Sequence, residues 1–139
     1  MRKVIGTTTA AIIGAAAICL TLPGSAAAAG ETFGCHVTPN ADTGYHAYCV
    51  PDRPAARFTV SFKFTGTGTY TYVWNLSGDI GGRTTTAGTC IATSSLCNFS
   101  FSSSGDRDIV GQVTATQNGV SITMTATAST PAVCGTYWC

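Results

Sequence analysis

A period of two in the apolar residues constrains this chain more than any other feature. Phe58, Val60, Phe62 and Phe64 alternate with Thr59, Ser61 and Lys63, and after Thr65-Gly66-Thr67-Gly68 the alternation resumes in Tyr70, Tyr72, Trp74 and Leu76. Successive side chains of an extended strand point to opposite faces, so each run predicts a strand with one apolar and one wet face. The glycine-rich link reads as a flexible turn, and the two runs are expected to pair as a first hairpin.

A second hairpin is specified down to its register. Asn118-Gly119 lies between two alternating runs and favours a type I′ turn, because both residues tolerate positive φ. If Gln117 faces Val120, then Ala115 meets Ile122 and Val113 meets Met124, while Thr116 meets Ser121 and Thr114 meets Thr123. The apolar residues near the turn then share one face, which a slip of one residue would destroy. Phe99 and Phe101 mark a further strand within Cys97 to Ser103, and Thr84 to Ile91 reads as a threonine-rich edge strand. Nothing after residue 29 has a helical apolar period. Short strands with one apolar face each cannot bury themselves in a single sheet, so the expected fold is all-β, two sheets packed face to face. The expected core is Phe58, Val60, Phe62, Tyr72, Trp74, Leu76, Phe99, Phe101, Val113, Ala115, Ile122 and Met124.

The first 29 residues read differently. Met1-Arg2-Lys3 is basic, Val4 to Leu22 is apolar and uncharged, and Pro23-Gly24 precedes Ala27-Ala28-Ala29-Gly30, a small-residue cleavage site. These are the three regions of a secretory signal peptide, so residues 1–29 are expected to be removed and residues 30–139 to form a single domain. Cys19 leaves with the signal, and Cys35, Cys49, Cys90, Cys97, Cys134 and Cys139 remain, an even set in an exported chain. They fall into three neighbouring couples bracketing turn-rich segments, which predicts Cys35 with Cys49, Cys90 with Cys97 and Cys134 with Cys139. A zinc site built from Cys35-His36 and His46-x-x-Cys49 is the competing reading, disfavoured because exported thiols oxidise.

Without Arg2 and Lys3 the chain carries five basic and six acidic residues, and Ser and Thr fill 30 of 110 positions. Solubility then rests on hydroxyls, and there is no electrostatic reason to bind nucleic acid or, after cleavage, a membrane. The domain is expected to be secreted and monomeric.

Tyr72-Val73-Trp74-Asn75-Leu76-Ser77-Gly78-Asp79 resembles the Tyr-x-Trp-Asp-Phe-Gly-Asp stretch of PKD-like domains, which are immunoglobulin-like β-sandwiches of secreted bacterial and surface proteins. The closing strands of that family, split by an Asn-Gly turn, are matched by Ile109 to Ala128, and the resemblance spans residues 57–128. Here Ser77 is inserted before Gly78-Asp79, Asn75 stands in place of the acid, and Cys90 to Cys97 interrupts the region that follows. The resemblance implies an immunoglobulin-like sandwich and no particular activity.

The sequence offers little catalytic machinery. The imidazoles are His36 and His46 in an N-terminal loop, no Gly-x-Ser-x-Gly turn occurs, and the acids Glu31, Asp42, Asp52, Asp79, Asp106 and Asp108 lie mostly beside turn residues. No enzyme activity and no cofactor are expected. Asp79, Asp106 and Asp108 could present oxygens to calcium, but Arg107 between two of them favours a turn in which the arginine pairs its neighbours.

Two non-catalytic functions remain: an extracellular module that binds a glycan or a protein, or an inhibitor of an extracellular protease or glycosidase offering Arg53 or Arg83 to its target. For the first, the expected contacts are Tyr137 and Trp138 within Cys134-Gly135-Thr136-Tyr137-Trp138-Cys139. A tight disulfide ring would hold both rings outward as a preset apolar contact. The reading favoured over it is that Trp138 folds back as a lid over Phe58 or Phe101, since terminal aromatics often plug a small core.

Overall fold

A computed structural model describes residues 30–80 and 90–139. The expected signal segment, the Gly81-Gly82 loop, Arg83 and most of the Thr84 to Ile91 run lie outside the described residues. Among those described there is no helix, and nine strands form: β1 (Thr32–Thr38), β2 (Tyr48–Cys49), β3 (Arg57–Thr65), β4 (Thr71–Gly78), β5 (Leu96–Ser102), β6 (Arg107–Gln117), β7 (Val120–Thr130), β8 (Val133–Cys134) and β9 (Tyr137–Trp138). They assemble into a three-stranded sheet ordered β1-β3-β5, a four-stranded sheet ordered β2-β7-β6-β4, and the small hairpin β8-β9.

The β6–β7 hairpin has the register expected from its sequence, with Gln117 opposite Val120, Ala115 opposite Ile122 and Val113 opposite Met124. Asn118 and Gly119 both take positive φ, 51° and 77°. On the outer face the hydroxyls of Thr116 and Ser121 lie 2.7 Å apart and those of Thr114 and Thr123 3.0 Å. Pairing continues to Arg107 opposite Thr130, which brings Ile109, Ala126 and Ala128 inward as well.

The first hairpin does not form. β3 pairs with β1 and β5, whereas β4 pairs with β6 in the other sheet, so the segment around Gly66 carries the chain from one sheet to the next. Alternation fixes which face of a strand is apolar but not which strand lies beside it. Placed in different sheets, the two runs aim their aromatic faces at each other: Phe64 meets Tyr70 and Tyr72 edge-on, at centroid separations of 5.0 and 5.7 Å. The side-chain amide of Gln117 steadies the crossing by donating to the carbonyls of Thr67 and Thr69, at 3.2 and 3.4 Å.

The N-terminal segment around His36, expected as loop, is largely strand. β1 pairs with β3 from Thr32 opposite Thr65 to Thr38 opposite Thr59, with Cys35 and Val37 buried and His36 on the outer side.

One buried cluster draws on both larger sheets: Val37, Phe58, Val60, Phe62, Phe99 and Phe101 from one, Ile109, Ala126 and Ala128 from the other. Each of the valine, isoleucine and phenylalanine side chains among these contributes about 1.5–3 kcal/mol relative to exposure. A second cluster gathers Phe64, Tyr70, Tyr72, Val113 and Ala115. Of the expected core, Trp74, Leu76 and Met124 are half-buried rather than buried. Trp74 and Leu76 sit on β4, the last strand of its sheet, where an inward side chain is covered from fewer directions.

Three disulfides join Cys35 to Cys49, Cys90 to Cys97 and Cys134 to Cys139, the pairing the spacing predicts. The first does more than close a loop: Cys35 belongs to β1 and Cys49 to β2, so it ties the three-stranded sheet to the four-stranded one through the interior.

Candidate functional site

After β7 ends at Thr130, Pro131 halts the ladder and the chain folds into the β8–β9 hairpin, with Val133 opposite Trp138 and Cys134 opposite Tyr137. Gly135 takes φ 72°, a conformation few other residues adopt, which permits a tight reversal inside the Cys134–Cys139 ring. The hairpin is anchored at its base: Ala132 N–H donates to Asp106 Oδ1 at 2.6 Å, Val133 N–H to the Ser103 carbonyl at 3.2 Å, and Cys139 N–H to the Ala132 carbonyl at 2.9 Å.

Neighbours on a strand face opposite ways, and the two aromatics divide accordingly. Trp138 stacks on Phe58 with ring centroids 6.1 Å apart and planes 13° from parallel. It stays 38% exposed, while Tyr137 is 75% exposed. One ring seats the hairpin against Phe58 and the other is presented to solvent.

Arg53 is exposed in the segment between β2 and β3, next to Asp52, whose Oδ2 accepts the Ala41 N–H at 2.6 Å. Arg83 lies outside the described residues. Of the three acids considered for calcium, Asp79 and Asp106 have carboxylate partners, and Asp108 is bound through its backbone. Asp79 Oδ2 accepts the Asp108 N–H at 3.3 Å, Arg107 Nη1 donates to the Asp79 carbonyl at 3.0 Å, and Asp106 holds the C-terminal hairpin. Among the described residues no group of three or more His, Cys, Asp or Glu is arranged to hold a metal ion. The thiols of the zinc alternative are consumed by the Cys35–Cys49 bridge.

Within that bridge lies a constellation the sequence reading missed. Asn40 Oδ1 accepts the Asp42 N–H at 2.9 Å, and Asp42 Oδ1 accepts the Gly44 N–H at 2.7 Å, two successive Asx turns. Both imidazoles converge on Asp42: His46 Nε2 lies 2.8 Å from Oδ2, and His36 Nε2 lies 2.7 Å from the backbone carbonyl. The Gly44 N–H first, and then His46, hold the Asp42 carboxyl below its ordinary 3.8. The segment lies so close to β1 that a Cβ on Gly34 would sit 2.8 Å from Tyr45 C and His46 N. These residues frame a cavity of about 200 Å³, lined also by Tyr48 and Val50. The Asn-x-Asp-x-Gly spacing of Asn40, Asp42 and Gly44 is the sequence signal for these turns.

Comparison with protein-family models, with curated proteins and with solved structures finds no match. No helix among the described residues is long and apolar enough to cross a membrane. Three disulfides are typical of extracellular proteins.

Proposed function

We propose that the protein is a secreted, non-catalytic binding module, an immunoglobulin-like β-sandwich of the PKD-like kind, that engages a glycan or a protein outside the cell through its C-terminal hairpin. The observation that carries this reading is Tyr137, three-quarters exposed on a hairpin closed by a disulfide and seated by the Trp138 stack on Phe58. Exposing a large aromatic has no value for the core. A tyrosine held in place loses little rotamer freedom on binding, so the geometry favours stacking on a sugar ring or filling an apolar pocket. Trp138, turned the opposite way onto Phe58, keeps an exposed edge of its own.

The module is tested by affinity electrophoresis through soluble polysaccharides and by retention on extracellular-matrix proteins. At least one ligand is expected to retard the native protein, and Tyr137→Ala is expected to weaken that binding by about tenfold or more. In the alternative reading the domain inhibits a protease or glycosidase, with the exposed Arg53 offered from an anchored loop. Titration of trypsin and α-amylase separates the two, since a binding module leaves both rates unchanged.

A further inference from the structure

We propose that the cavity framed by the Cys35–Cys49 segment is a binding site for one neutral pyranose unit of a glycan. This rests on the reading of the protein as a binding module and gives it a second contact, with a ligand class. At about 200 Å³ the cavity is smaller than the about 300–1,000 Å³ that encloses a drug-sized ligand, so it admits one ring rather than several.

Its lining matches what a pyranose displays, namely hydroxyls that each donate and accept, and a face of C–H groups. Asp42 is an acceptor-only group in its ionised state, and each of its oxygens keeps lone-pair capacity beyond the bonds to Gly44 and His46. Asn40 directs one amide hydrogen to the Val50 carbonyl at 2.7 Å, which leaves its second as a donor. A carboxylate acceptor and an amide donor two residues apart can serve adjacent sugar hydroxyls, and bonds to an ionised partner are the stronger kind. The ring of Tyr48, 60% exposed, supplies an apolar surface for the C–H face. The Asx turns and the bridge fix these atoms before a ligand arrives, which lowers the ordering cost.

Other ligand classes fit less well. Anions meet the Asp42 carboxylate, and a metal ion finds both imidazole Nε2 atoms already directed at Asp42.

The experiment is a backbone-amide NMR titration of the oxidised protein with D-glucose, D-galactose, D-mannose and N-acetyl-D-glucosamine, each to high millimolar concentration. At least one sugar is expected to give saturable shifts at Asp42, Gly44 and Tyr48. Asp42→Asn and Tyr48→Ala are each expected to weaken that binding about tenfold. Tyr48 takes no part in the hydrogen bonds of the loop, so its variant reports on contact rather than folding. Absence of saturable shifts with all four sugars, or shifts that survive Tyr48→Ala, overturns the site. Iodide quenching of Trp138 in the presence of polysaccharide reads the C-terminal hairpin separately. Protection there with silent amides at residues 40–48 overturns the sugar site while the binding-module reading stands.

Discussion

The ring of Phe62 on β3 packs against the bare backbone of Gly111 on β6, so closely that a Cβ at position 111 would lie 2.5 Å from both Cδ1 and Cε1. Phe62 is fully buried, and it belongs to one sheet and Gly111 to the other. Gly111→Ala is expected to destabilise the domain by about 1–3 kcal/mol through overpacking, and Phe62→Leu in the same chain to recover part of the loss. Urea unfolding of the single and double variants measures the coupling. Additive effects would mean the contact is not made.

The hairpin register makes a sharper demand on adjacent residues. Thr123 is exposed and Met124 is packed against the Phe64 and Tyr72 cluster, so Met124→Asp is expected to cost at least about 2 kcal/mol more than Thr123→Asp. Melting curves for the two variants decide it.

Thr130 closes β7 with its hydroxyl buried and without a hydrogen-bond partner among the described residues. An unsatisfied buried polar group is a standing cost, so Thr130→Val is expected to stabilise the domain by about 1 kcal/mol. The measurement is a rise in the urea midpoint with an unchanged slope.

Asp42 on one side and Tyr70 with Tyr72 on the other give opposite pH dependences. Asp42 has its carboxyl lowered in the folded protein, so its contribution is present above 3.8 and is lost as pH falls through the lowered value. The amide resonances of Gly44 and His46 are expected to shift together in that acid window. Tyr70 is raised above 10.0, first by its hydrogen bond to Glu31 and then by burial, and Tyr72 is raised by burial alone. Their contribution is complete below 10.0 and is lost as pH rises through the raised values. Absorbance titration of phenolate is expected to lose its late-ionising step in the Tyr70→Phe, Tyr72→Phe double variant.

Much of this fold is legible in the chain because alternation reports burial directly. Phe58, Val60 and Phe62 face inward as their spacing requires, and Asn118-Gly119 sets a register that runs on to Thr130. Partner choice is not encoded that way. The Thr65 to Gly68 link has the composition of a hairpin turn and yet spans two sheets, since the decision lies in which aromatic faces meet across the core. Likewise Cys35 and Cys49 are near in sequence, and only the topology makes their bridge an inter-sheet tie. Its loss is expected to cost about 3 kcal/mol, whereas the Cys134–Cys139 ring governs the hairpin alone. At the candidate site, Tyr137 and Trp138 were visible as a pair but not their division, because which neighbour turns inward depends on Phe58. The cavity beside Asp42 was hidden for another reason: its residues act through backbone turns, which spacing shows only weakly.

If Tyr137 is a preset contact rather than a packing residue, stability and binding respond separately to its loss. Tyr137→Ala is expected to leave the melting temperature within about 2 °C of the native protein, because a side chain 75% exposed carries little of the core. The same variant should lose about tenfold or more in affinity for whichever polysaccharide or matrix protein retards the native domain. Unchanged affinity with an unchanged melting temperature would remove the C-terminal hairpin as the contact.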